Sequence, residues 1–320
     1  MLVGQQGMHA PKDRRVVDWL IAVPVVLAFL AVGLVGAYRY LDNFWHYRGF
    51  APPRDPVFVR LHGQQETISV VSPALGGRSQ QVVVYLPPGY DANGSRRYPV
   101  MYLLHGFPGR PLAFLETVRM GMWVDTLVAQ HRIGGVILVM PFGSTGTFED
   151  KEWANGVGRG QGWESFVADD VVRAIDARYR TIPSSAARAI AGLSEGGYGA
   201  LNIALHHPRE FAVVESWSGY MRADNIPAIF GRRSALLAYN SPASYLPRVA
   251  AELQRSRTFF WFYTGSRDSL LAQNQAFAAE LQRYGIAHRF FVDAGGHTWR
   301  IWRGNAREAL LVAATRLSGV

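Results

Sequence analysis

Ala191-Gly192-Leu193-Ser194-Glu195-Gly196-Gly197-Tyr198-Gly199-Ala200, behind the run Arg188-Ala189-Ile190, decides the fold. It reads as a strand that breaks sharply into a helix with one serine at the corner, the pattern of a nucleophile elbow. Small residues are needed at Gly192 and Gly196 because side chains two positions either way from Ser194 would collide with neighbouring backbone. The N–H groups that open the helix then point at the serine hydroxyl. Gly-rich strand-to-helix corners also arise from packing alone, so other segments must supply the rest of a reactive site.

Three segments do. Val100-Met101-Tyr102-Leu103-Leu104-His105-Gly106-Phe107-Pro108-Gly109 is an apolar strand ending in a His-Gly turn, the place for a second oxyanion N–H, with Phe107 as its donor and Glu195 as the other. Phe290-Phe291-Val292-Asp293-Ala294-Gly295-Gly296-His297-Thr298-Trp299 opens into a Gly-Gly-His loop that offers His297 as base. Between elbow and histidine, Phe259-Phe260-Trp261-Phe262-Tyr263-Thr264-Gly265-Ser266-Arg267-Asp268 runs into a loop carrying one carboxylate. The chain order Ser194, Asp268, His297 is that of the α/β-hydrolase triad. Asp293 competes as the acid, but it lies only four residues before His297, whereas the orienting carboxylate comes from the end of an earlier strand. His105 is expected to shape the oxyanion turn, and His206 and His207 to cap a helix before Pro208.

With these residues in place the chain resembles the esterase D and enterochelin-esterase branch of the α/β-hydrolases, which includes feruloyl esterases, S-formylglutathione hydrolase and secreted mycolyltransferases. The resemblance runs over roughly residues 66 to 318. It is carried by Gln81-Val82-Val83-Val84-Tyr85-Leu86-Pro87-Pro88-Gly89-Tyr90 with Arg97-Tyr98-Pro99-Val100, by Trp163-Glu164-Ser165-Phe166 leading to Ile175-Asp176-Ala177-Arg178-Tyr179-Arg180-Thr181, and by Gly296-His297-Thr298-Trp299 with Trp302 beyond. It implies an ester substrate processed through a serine acyl-enzyme. Many members carry methionine after the nucleophile where this chain has Glu195, whose acidic side chain either alters local electrostatics or packs sideways into a salt bridge.

The other strong signal is N-terminal. From Trp19 to Tyr38 the chain is uncharged and mostly apolar, long enough at about 1.5 Å per residue to cross about 30 Å of hydrocarbon. Lys12, Arg14 and Arg15 precede it and orient it with the N-terminus inside, and Pro24 is tolerable in a membrane helix. A cleaved signal peptide is the rival, since Val35-Gly36-Ala37 resembles a processing site; both readings export the catalytic domain. The expected organisation is a basic cytoplasmic segment (1–15), a transmembrane signal anchor (16–40), and a juxtamembrane linker (41–65) with aromatic-rich Asn43 to Phe50 and the stiff spacer Pro52-Pro53-Arg54-Asp55-Pro56. The catalytic domain (66–320) comes next, with a cap at about 221–256.

The fold class expected is α/β, the α/β-hydrolase fold: a mostly parallel sheet with helices on both faces, because strand–helix alternation cannot easily be wound otherwise. The formal charge is +9, and lysine occurs only at Lys12 and Lys151. The arginines are scattered rather than gathered among aromatics, which argues against nucleic acid as a partner. With no cysteine, neither thiol redox nor thiolate–metal chemistry is open. Gly156 to Gly162 superficially resembles a phosphate loop but lacks a preceding strand, and reads as a flexible loop near the site entrance. No cofactor and no metal are expected. The expected function is a membrane-anchored, exported serine esterase acting on small-molecule, lipid or glycolipid esters, cell-envelope acyl esters among them. The alternatives are an acyltransferase that moves the acyl group to a sugar hydroxyl and a membrane-tethered binding protein without activity.

Overall fold

The computed structural model describes residues 14–146 and 148–317, with side chains from Trp19 onward. The expected cytoplasmic segment up to Asp13, including Lys12, and the last three residues lie outside it. The chain divides into two units, through Phe50 and from Ala51.

The first unit is one helix, α1 (Arg14–Tyr47), with Pro24 inside it. Over Trp19–Tyr47 it has an 18-residue window of mean hydropathy 2.7, long and apolar enough to cross a membrane. Its apolar side chains are open, Phe29 and Leu34 each being more than 70% exposed. The helix outruns the expected span and takes in Leu41–Tyr47, because no breaker occurs before Arg48 and Gly49, which turn the chain with positive φ.

The second unit begins with the antiparallel pair β1 (Gln64–Ser72) and β2 (Arg78–Leu86). There follow β3 (Val100–Leu104), α2 (Ala113–Glu116), α3 (Met120–Ala129), β4 (Ile137–Pro141) and α4 (Trp163–Ser165). A π-helical stretch (Phe166–Val171) joins α4 to α5 (Val172–Arg178), and then come β5 (Arg188–Leu193), α6 (Glu195–His206) and β6 (Val213–Trp217). The chain closes with α7 (Pro227–Phe230), α8 (Ser234–Tyr239), α9 (Pro242–Ser256), β7 (Phe259–Gly265), α10 (Leu271–Arg283), β8 (His288–Asp293) and α11 (Trp299–Leu317). The eight strands form one sheet in the order β1-β2-β4-β3-β5-β6-β7-β8, parallel from β4 to β8, as expected for the α/β-hydrolase fold.

Burial explains why the strands read as they do. β3, β4, β5, β6 and β7 are buried at every position, so their sequences are near-continuous apolar runs, whereas β1 alternates exposed and buried residues as a strand covered on one face does. Along β3, Val100, Tyr102 and Leu104 enter one core layer with Ile175, Leu201 and Leu253; Met101 and Leu103 enter the other with Leu127 and Leu310. The period of two in the strand thus divides a three-layer sandwich into two cores.

The expected cap stretch has two parts. Residues 221–241 carry α7 and α8, where Ile229 and Phe230 pack with Tyr198. α9 buries Leu246, Ala250 and Leu253 in the core beside α6 and is the crossover helix from β6 to β7.

At the corner between β5 and α6 a Cβ on Gly196 would stand 1.9 Å from the Leu104 carbonyl oxygen, and one on Gly192 would stand 2.1 Å from the Gly196 carbonyl oxygen. Both obstacles are backbone. Gly304, exposed in the middle of α11, has nothing within 4 Å of a built Cβ. Urea unfolding should therefore show Gly196→Ala destabilised by about 3 kcal/mol or more, the upper end for overpacking. Gly304→Ala should gain about 0.5–1 kcal/mol from helix propensity. Equal effects of the two substitutions would contradict the packing described for the corner.

Candidate active site

Ser194 ends β5 and precedes the first turn of α6, with φ 56° and ψ −122°. A serine holds such a conformation only where its surroundings over-determine it. Here its N–H donates to the Trp217 carbonyl at 2.9 Å, and its own carbonyl accepts from Gly197 and Tyr198 at 2.9 and 3.1 Å.

His297 comes from the loop after β8 and Asp268 from the loop after β7. The Nε2 of His297 lies 2.8 Å from Ser194 Oγ, and its Nδ1 lies 2.9 Å from Asp268 Oδ2. The other oxygen of Asp268 accepts the Leu270 N–H at 3.0 Å, and the Asp268 side chain has no solvent exposure. An aspartate held from both sides orients the imidazole with Nδ1–H toward itself, leaving Nε2 as acceptor for the serine hydroxyl. Trp302 and the imidazole make a T-shaped pair, centroids 5.1 Å apart at 90°. Asp293 is engaged elsewhere: Oδ1 accepts the Ala294 N–H and Oδ2 the Asn305 side-chain amide, both at 2.7 Å.

The His105–Phe107 turn lies against the elbow, since a Cβ on Gly106 would be 3.0 Å from Ser194 Cβ. Among the described residues the N–H groups of Phe107 and Glu195 donate to no carbonyl. His105 is buried. Its Nδ1 donates to the Gly106 carbonyl at 2.9 Å and its Nε2 accepts the Gly143 N–H at 3.2 Å. Burial drives its pKa down to about 4, so it is a neutral brace for the turn. His206 and His207 do more than end α6: their rings meet the two oxygens of buried Glu164 at 2.7 and 3.1 Å, and His206 also meets the Tyr239 carbonyl in α8 at 3.0 Å. The helix end is capped by the His207 backbone N–H instead.

Glu195 does not form a salt bridge among the described residues. Its buried side chain lies among other acids, and burial, with Asp150 and Glu152 adding repulsion, pushes its carboxyl well above the ordinary range. Glu152, fully buried, is pushed up to about 8 by the same burial and by Asp150. One of its oxygens accepts from Tyr220 Oη at 2.8 Å, and the other has no hydrogen-bond partner among the described residues. Sequence reasoning missed this acidic group and also Trp153, whose Nε1 donates to the His105 carbonyl at 3.0 Å while its ring packs on the His105 ring. Glu152 and Trp153 both hold positive φ without being glycine, a backbone choice with no local sequence signal. The Gly156–Gly162 loop is fastened rather than loose: Gly156 N–H donates to Gln161 and Val157 N–H to Ile229 of α7, each at 2.8 Å.

Residues 72–311 match the family model described as "Putative esterase". An endo-1,4-beta-xylanase/feruloyl esterase of Xylanibacter ruminicola is 32% identical over 193 residues, 58% of this chain and 26% of that protein. An esterase of Mycobacterium tuberculosis is 29% identical over 252 residues, 70% of this chain and 54% of its own length. The chain thus spans about half or less of these curated relatives. The solved structure of a ferulic acid esterase superposes with TM-score 0.70 at 26% identity, over 81% of this chain and all of the other. With the family match over most of its length and the eight-stranded, mostly parallel sheet beneath it, the chain belongs to the esterase family of the α/β-hydrolases.

Proposed function

We propose that the protein is a membrane-anchored, exported serine esterase that cleaves carboxylic esters, acyl esters of the cell envelope among them, through an acyl-enzyme on Ser194. The observation that carries this reading is the unbroken hydrogen-bonded path from Ser194 Oγ through His297 to Asp268. His297 Nε2 takes the hydroxyl proton as Oγ adds to the ester carbonyl. The buried carboxylate of Asp268 stabilises the imidazolium that results. Negative charge collects on the former carbonyl oxygen, which the N–H groups of Phe107 and Glu195 receive, and the positive end of α6 adds to their effect. The imidazolium returns its proton to the departing alkoxide. Water then adds to the acyl-enzyme with the same base, releasing the acid and restoring Ser194. A sugar hydroxyl in place of water would make the same cycle a transfer, so the products distinguish the two.

Glu195 serves this scheme through its backbone. Burial holds its carboxyl well above the ordinary range, which disfavours a full negative charge beside the developing oxyanion. The apolar helix Trp19–Tyr47 supports the anchor, and the basic residues before it support an N-terminus kept inside.

Ser194→Ala should lower ester turnover by about 10⁴-fold or more and abolish labelling by a fluorophosphonate, with an unchanged circular dichroism spectrum. Wild-type protein that neither labels nor turns over any ester, from feruloyl esters to acyl chains of graded length, would be a binding protein. Asp268→Asn should cost about 10⁴-fold in turnover, as loss of the correct imidazole tautomer does in the trypsin example. Asp293→Asn should stay near wild type, and a large loss only there would reverse the choice of acid.

External protease should cut the domain beyond Tyr40 on spheroplasts, and washing without detergent should leave the protein in the membrane fraction. A domain protected until lysis contradicts export.

Glu152 sets a pH dependence of stability. Folded, it keeps its proton up to about 8; unfolded, it loses it near 4.5. Between those values the folded state binds the extra proton, so this group's contribution to stability falls as pH rises from about 4.5 to about 8 and is level above. Thermal melts of Glu152→Gln should fall less across that window than those of wild type. Parallel curves would place the titration elsewhere.

A further inference from the structure

Away from the Ser194 loop, Asp55, His62 and Asp125 converge from two separate stretches of the chain, the segment ahead of β1 and the helix α3. Their ligating atoms all lie within 4.8 Å of one another. His62 Nδ1 is 2.9 Å from Asp55 Oδ2 and 3.6 Å from Asp125 Oδ2. Two ligands of a tetrahedral zinc ion, each at about 2.0–2.2 Å from it, stand about 3.3–3.6 Å apart, so the observed spacings need only small side-chain adjustment to enclose one.

The innermost of the three is already oriented. Asp125 is 2% exposed, and its Oδ1 takes two hydrogen bonds, from Tyr85 Oη at 2.7 Å and from the Gly63 N–H at 3.1 Å. Oδ2 is thereby left to face His62. Gly63 can come so close only for want of a side chain, since a Cβ there would lie 2.5 Å from the Tyr85 ring. Outer hydrogen bonds of this kind fix the direction of metal-binding carboxylates. Beside the cluster lies a cavity of about 150 Å³ lined by Asp55, Asp125, Gln65 and Tyr85, room for a fourth ligand such as water.

Charge points the same way. Among the described residues no lysine or arginine pairs with Asp55 or Asp125, so a proton on His62 could balance only one of the two carboxylates. A divalent ion balances both. One imidazole with two carboxylates suits a borderline ion such as zinc, whereas calcium takes six to eight oxygens.

We propose that Asp55, His62 and Asp125 bind one zinc-type divalent ion that fastens the segment ahead of β1 onto α3. The site has no signature in the sequence, where no metal is expected and Asp55 reads as part of a stiff spacer. It stands independently of the esterase reading.

Untagged full-length protein in detergent, stripped with EDTA and dialysed, provides the test. Titrated with zinc against a colorimetric chelator, it should hold one equivalent, and zinc at a hundredfold excess over Kd should raise Tm by about 5 °C or more. The His62 side chain is 52% exposed, so His62→Ala should fold normally, yet it should bind zinc at least about 10-fold more weakly and lose the Tm rise. His297→Ala, which removes the imidazole beside Ser194, should retain both. X-ray absorption of the zinc-loaded protein should show one imidazole nitrogen among oxygen ligands. Failure of wild type to hold zinc, a Tm response to calcium alone, or undiminished binding in His62→Ala would overturn the proposal.

Discussion

The close approach of backbone to backbone where β3, β5 and α6 meet is the constraint on which the rest of the site depends. Gly192 and Gly196 let the Leu104 and Gly196 carbonyls occupy space that any side chain would fill. That contact forces α6 to start directly over the sheet and leaves Ser194 at φ 56°. The same economy recurs around it. Gly106 brings the His105–Phe107 turn against the serine, and Gly199 makes room for Trp153, whose indole ties the His105 carbonyl. Each of these glycines trades conformational entropy in the unfolded chain for proximity in the folded one.

The position just after Ser194 lies in an acidic surrounding. Acids cluster behind the corner, and burial suppresses their ionisation instead of counter-ions neutralising it. Glu195 places its backbone N–H in the first turn of α6 while its carboxyl, held well above the ordinary range, lies among these acids. Trp153, Tyr198 and Tyr220 are the large side chains beside these acids, with the last two stacked at 4.5 Å.

Features encoded by local pattern were legible in the sequence, and those created by long-range packing were not. The strand Val100–Leu104, the elbow and the loop positions of Asp268 and His297 follow from apolar runs that end in polar turns. The stretch Leu112–Ala129 reads as one helix, yet it divides into α2 and α3 at Arg119, which takes φ 73° with neither glycine nor proline to announce it. Trp163–Tyr179 likewise conceals a π-helical turn. Glu152 and Trp153 carry no periodic or motif signal, because their importance comes from what they touch far away in sequence: His105, Glu195 and Tyr220. For the same reason Asp55 and His62 look like linker residues until Asp125 is brought beside them by the packing of α3.

The position of β8 has a consequence for durability. Ser194 hangs from a strand buried in the middle of the sheet, whereas His297 hangs from the outermost one, whose residues are half-buried or exposed throughout. Edge strands and the loops they carry open at lower free energy than central strands. Fraying of β8 would carry the imidazole away from the hydroxyl while both hydrophobic cores stayed closed. Heat or denaturant would then silence the protein before melting it, and the working lifetime would be set at the rim of the sheet and not at its centre.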